Sequence, residues 1–107
     1  MKTINKKVIE AIENLGWIVR EYGEEYELEQ SSPAGEDIVE YIRKGEDIVS
    51  QVWDIYHNFD EEEHVEMWVN ARHNVSGVPS ISTLVKDSEE ITEMYRQLAL
   101  AVEKAVA

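Results

Sequence analysis

Apolar residues recur near the start of the chain as Ile4, Val8, Ile9, Ile12 and Leu15, the three-and-four spacing of one helix face. With Thr3 as N-cap and Gly16 as the glycine stop, this spacing predicts a helix over residues 4–15. The period then changes. Trp17-Ile18-Val19-Arg20-Glu21-Tyr22 and Glu25-Tyr26-Glu27-Leu28-Glu29-Gln30 are β-prone runs around Gly23-Glu24, which predicts a hairpin with a two-residue turn. That turn sets Tyr22 opposite Glu25 and Arg20 opposite Glu27. Trp17, Val19, Tyr26 and Leu28 then share one face, while Ile18, Arg20, Tyr22, Glu25, Glu27 and Glu29 share the other. A cross-strand Arg20–Glu27 pair suits a wet face.

The turn residues of Ser31-Ser32-Pro33-Ala34-Gly35-Glu36 mark a loop. Asp37 to Arg43 reads as a third strand that closes a meander, apolar in part on both faces, so its orientation stays open. After Lys44-Gly45, Ile48, Val49, Val52, Trp53, Ile55 and Tyr56 outline a second helix. Asp60 with Glu61, Glu62 and Glu63 has the form of an N-cap and acidic first turn, opening a third helix with Val65, Trp68 and Val69 inward. Trp53 and Trp68 are expected to be buried on facing helices. Asn74 to Pro79 reads as a turn, and Ile81, Leu84 and Val85 as a short helical segment after Ser80. Asp87-Ser88-Glu89-Glu90 is expected to cap a separate last helix that buries Ile91, Met94, Leu98 and Val102. The order is αβββααα: one α+β domain over residues 1–107, a three-stranded antiparallel meander packed against helices.

Charge adds what periodicity cannot. The net charge is −13, and residues 24–66 alone carry 15 Asp and Glu against Arg43 and Lys44. The rest of the chain is neutral in sum. Such a field repels nucleic acid and anionic membranes and draws basic surfaces across a Debye length of ~8–10 Å. Solubility is the plainer reading of the same acidity. The chain has no cysteine, which removes disulfide and thiol chemistry and fits a reducing cytoplasm. No apolar run approaches the ~18 residues of a membrane span, and the basic N-terminus leads into no signal-peptide core.

Candidate chemistry is sparse. His57, Asp60, Glu63 and His64 are metal-competent types, but they lack the i, i+3 or i+4 histidine spacing of a helical site. No metal and no cofactor is expected. There is no Gly-x-Ser-x-Gly turn and no glycine-rich phosphate loop, and carboxylates on wet faces lack the divergent burial that acid–base catalysis needs. An enzyme is not expected. Glu25, Glu27 and Glu29 alternate, which spaces same-face carboxylates about 6.6 Å apart on a strand. Such a row, with Asp60 to Glu63 and Glu66 as a second cluster, can imitate a phosphate backbone in a basic groove.

Ser32-Pro33-Ala34-Gly35-Glu36-Asp37, the run Phe59 to Val69, Ser76-Gly77-Val78-Pro79-Ser80 and Leu84-Val85-Lys86-Asp87 resemble a family of short acidic proteins of unassigned role. Its members are carried by phages and other mobile elements of Gram-positive gut bacteria, and the likeness runs from about Leu15 to Leu100. The resemblance brings no catalytic residues. It implies a habitat shared with anti-CRISPR and other anti-defence inhibitors, which often bind nucleic-acid-handling proteins through acidic surfaces.

The expected function is therefore a non-enzymatic, cytoplasmic inhibitor or modulator that docks on a basic, nucleic-acid-binding surface of a protein partner. It is not expected to bind nucleic acid or membrane directly. The expected partner-binding residues are Glu25, Glu27, Glu29, Glu36, Asp37, Asp60, Glu61, Glu62 and Glu66. The alternative is a small interaction module, a homodimer for instance, that works through an apolar surface including Ile18 and Tyr22.

Overall fold

The computed structural model describes residues 2–72 and 80–107. The order is α1 (Lys6–Glu13), β1 (Ile18–Tyr22), β2 (Glu25–Ser31), β3 (Asp37–Arg43), α2 (Ile48–Asn58), α3 (Glu61–Arg72) and α4 (Ile81–Val106). The expected turn at Asn74 to Pro79 lies outside the described residues. The first helix starts later than expected. Its N-cap is Asn5, not Thr3, and the Asn5 Oδ1 accepts from the Val8 backbone N–H at 3.0 Å. Gly16 ends the turn after it with φ of 99°, and a side chain there would also run into Gln30.

The hairpin has the expected register, Tyr22 opposite Glu25 through Ile18 opposite Glu29. Only Gly23 in its turn has positive φ, which marks a type II′ turn and explains a glycine at the first turn position. β3 adds antiparallel to β2, giving the order β1-β2-β3. Pairing settles the orientation the pattern left open. Tyr26 faces Ile42 and Gln30 faces Ile38, so Ile38, Glu40 and Ile42 point to the helices, while Val39, Tyr41 and Arg43 point away.

The core lies between the inner sheet face and α1, α2 and α4. It joins Val8, Ile12, Trp17, Leu28, Ile38, Ile42, Ile48 and Val52 to Ile91, Tyr95, Leu98, Ala99 and Val102. α4 forms the hub, packing on α1, α2 and α3. The break expected at Asp87 does not occur. Leu84, Asp87, Ser88, Ile91, Tyr95, Leu98 and Val102 form one unbroken buried stripe on a helix of 26 residues whose cap is Ser80. No helix among the described residues is long and apolar enough to cross a membrane.

The tryptophans are also placed differently. Trp17, 3% exposed, is the buried one and stacks on Tyr95 with ring centroids 6.3 Å apart. Trp53 and Trp68 are only half-buried. Trp68 packs at the edge because its indole N–H donates to Glu36 Oε1 at 3.0 Å, which holds the ring beside a polar loop.

Two polar knots fix the connections around this core. Gln51, buried on α2, accepts from the Arg43 backbone N–H and donates to the Arg43 carbonyl, so it completes the chain reversal between β3 and α2. Ser32 and Asp87, both about 4% exposed, tie the β2–β3 loop to α4. The Ser32 hydroxyl donates to Asp87 Oδ2 at 2.8 Å and accepts from the Glu36 N–H, while the Ala34 N–H donates to Asp87 Oδ1 at 2.9 Å.

Candidate functional site

Among the described residues the helices cover one face of the sheet and leave the other open. On that outer face the registers make a grid three strands wide. Ile18, Glu29 and Val39 form one row, Arg20, Glu27 and Tyr41 the next, and Tyr22, Glu25 and Arg43 the third. The carboxylates occupy the central strand, and exposed apolar or aromatic side chains stand on both edges. Ile18 is 52% exposed, Tyr22 58% and Tyr41 53%.

The carboxylate row is partly neutralised. The Arg20 guanidinium donates to Glu29 at 2.9 Å and lies 3.6 Å from Glu27. The Glu29 hydrogen bond is the main reason that the Arg20 pKa is raised. Arg43 pairs with Glu46 and Lys44 with Glu21, and the Lys44 contact holds the Glu21 carboxyl below its ordinary range. Among the described residues Glu25 forms no ion pair. Asp37, at the start of β3 on the same face, accepts a long 3.4 Å hydrogen bond from Ser31.

The other expected contact residues stand elsewhere. Glu36 is a brace: its two oxygens receive the Trp68 indole N–H and, at 2.8 Å, His64 Nε2. Asp60 caps α3, its Oδ1 accepting from the Glu63 N–H at 3.1 Å. Glu61, Glu62 and Glu66 rim a groove between α3 and α4 whose floor includes Val65, Val85 and Ser88. The sheet carboxylates and the helix-3 cluster thus belong to two surfaces. Both are acidic, which is the only feature they share in the sequence, and charge alone carries no position. Among the described residues no group of three or more His, Asp or Glu side chains is arranged to hold a metal ion.

One site had no signal in the sequence. A cavity of about 390 Å³ opens beside the β3 edge, lined by Glu40, Tyr41 and Arg43, by Gln51, Asp54, Ile55 and Asn58 of one α2 face, and by Phe59 and Tyr95. Glu40 points inward from a position where the strand alternation would bury an apolar side chain. Its Oε2 accepts from the Tyr95 hydroxyl at 2.8 Å. The Tyr95 ring is fixed between Trp17, stacked, and Phe59, edge-on at 5.4 Å.

No family model matches this chain, and no curated protein or solved structure matches it.

Burial raises the Glu40 pKa against the lowering effect of the Tyr95 hydrogen bond, and burial with the nearby carboxylate raises that of Tyr95. A carboxyl whose pKa is raised on folding opposes folding once ionised. Its stabilising contribution is complete below the ordinary glutamate range and is lost as pH rises through the raised value. Glu40→Gln, which keeps an acceptor for Tyr95, is expected to melt above the parent at pH 7 and to lose that advantage near pH 4. Calorimetry at the two pH values checks this, and an equal gain at both would refute it.

Proposed function

We propose that the protein is a non-enzymatic binding protein whose outer sheet face docks on a basic, nucleic-acid-binding surface of a protein partner and blocks it. The carrying observation is the grid itself. A central column of Glu25, Glu27 and Glu29, flanked by exposed Ile18, Tyr22, Val39 and Tyr41, stands on a face that no helix among the described residues covers. Carboxylates set encounter rate and register with a basic partner, and the aromatic flanks supply the desolvated contact that charge alone does not. The excess of acid in residues 24–66 extends the attraction beyond the contact. Inhibition of the anti-defence kind, with a CRISPR effector as one basic target, is the form of this function that suits a small acidic protein of a mobile element.

The test begins with proteins captured from a bacterial lysate and asks whether each releases its nucleic acid when the protein is added. Replacing Glu25, Glu27 and Glu29 with Lys is expected to reduce both capture and release by ~10-fold or more. Because Glu27 and Glu29 hold Arg20, the same three changes to Gln serve as the milder companion. Reversal of the exposed Glu10, Glu13 and Glu103 is the control. A captured partner that keeps its nucleic acid, or equal losses from site and control, would defeat the reading.

The exposure of Ile18, Tyr22 and Tyr41 favours a second reading, a homodimer through the same face. It predicts concentration-dependent sedimentation that is insensitive to salt and abolished by Tyr22→Ala with Tyr41→Ala.

A further inference from the structure

The cavity beside β3 contains a carboxylate without a cation. Glu40 Oε2 is engaged by the Tyr95 hydroxyl, but Glu40 forms no ion pair among the described residues, and its half-buried position denies it full hydration. A buried carboxylate ordinarily has a charged partner or loses its charge. Arg43 borders the same cavity, yet its guanidinium is held by Glu46. Asp54 and Asn58 add a second carboxylate and an amide from α2, and Tyr41 and Phe59 add aromatic surface.

We propose that this cavity receives an arginine side chain of the partner, a reading that rests on the basic partner proposed above. A guanidinium is planar, stacks on aromatic rings and offers five N–H donors, which matches one free carboxylate oxygen, a second carboxylate and an amide oxygen beside two aromatic rings. The volume is near the small end of the range of ligand pockets and suits a single side chain rather than a nucleotide or cofactor. The location fits as well. Tyr41 belongs both to the cavity and to the outer-face grid, so a partner seated on the sheet has this cavity at the edge of its footprint. The Trp17 and Phe59 contacts hold Tyr95, and hence Glu40, in place before the cation arrives.

The probe is N-acetylargininamide, titrated into the ¹⁵N-labelled protein, with N-acetyllysinamide in parallel. Saturable shifts confined to Glu40, Asp54, Asn58 and Phe59 are expected. They should weaken at least ~5-fold in Glu40→Gln and Asp54→Asn, and remain unchanged in Glu103→Gln, on an exposed position of α4 outside both surfaces. The lysine probe should bind several-fold more weakly. Shifts scattered over all acidic residues, shifts unchanged in Glu40→Gln, or equal binding of the lysine probe would overturn the assignment. If the cavity ignores arginine while the sheet-face variants still lose a basic partner, this inference fails alone. If arginine enters the cavity but those variants bind as the parent does, the sheet-face reading fails alone.

Discussion

Trp17→Ala is expected to bring the protein to the margin of folding. Trp17 lies just before β1, on the core face of the hairpin, 3% exposed, with its ring stacked on Tyr95. Truncating a buried tryptophan typically costs about 3–5 kcal/mol, from lost transfer energy and the cavity left behind. Domains of this size have only ~5–15 kcal/mol in total. A second cost follows from the stacking, because Tyr95 loses one of the two rings that hold it against Glu40. Trp68→Ala provides the contrast. That ring is half-buried at the edge of the helical layer, and its loss should cost clearly less, chiefly the hydrogen bond to Glu36. Urea denaturation of the two variants checks the order. Equal midpoints, or a lower midpoint for Trp68→Ala, would show that the core is centred on α3 instead.

The second large effect is expected at Asp87. Removing its carboxylate in Asp87→Ala strands the buried Ser32 hydroxyl, which costs ~1–3 kcal/mol, and takes from the exposed Ala34 N–H a hydrogen bond of ~1 kcal/mol net. A loss of about 2–4 kcal/mol follows. Asp87→Asn retains one acceptor oxygen and a donor that Ser32 can turn to meet, so part of the stability should return. The damage should also spread. The loop that Asp87 anchors places Glu36, which braces His64 and Trp68 of α3. Hydrogen exchange of the Trp68 indole N–H should therefore accelerate in Asp87→Ala, although the two residues do not bond to each other. Ser32→Ala should give a similar loss, and the double change should cost less than the sum, since both act on one network. Full additivity, or unchanged Trp68 exchange, would show that the loop and α3 are independent.

Local pattern was enough wherever a single period or a single turn residue decided the outcome. The hairpin register followed from Gly23 and the alternation on either side, because one residue of slip would have exposed Leu28 and buried Glu27. The α3 start followed from Asp60, whose side chain meets an N–H three residues on. Asp87 shows where such reasoning fails. In sequence, Asp followed by Ser-Glu-Glu has the form of a helix cap, and only the packing of the β2–β3 loop against α4 turns it into a buried acceptor. Trp68 departs from its expected burial for a related reason. Helical spacing marks it as apolar, but its indole N–H finds Glu36 across the fold and stays at the edge.

The candidate site divides in the same way. The sequence by itself determined the composition of the outer sheet face, since strand alternation places Glu25, Glu27 and Glu29 with Ile18, Arg20 and Tyr22 whatever the helices do. Only the tertiary structure decided that Val39 and Tyr41 complete that face. It also decided that Glu36 is spent inside the fold, and that the helix-3 acids line a different groove. The Glu40 cavity is tertiary altogether, assembled from β3, α2 and α4. The physical reason is range. Periodicity and capping act over a few residues, whereas the partner of a buried polar group is chosen by which elements come to lie against it.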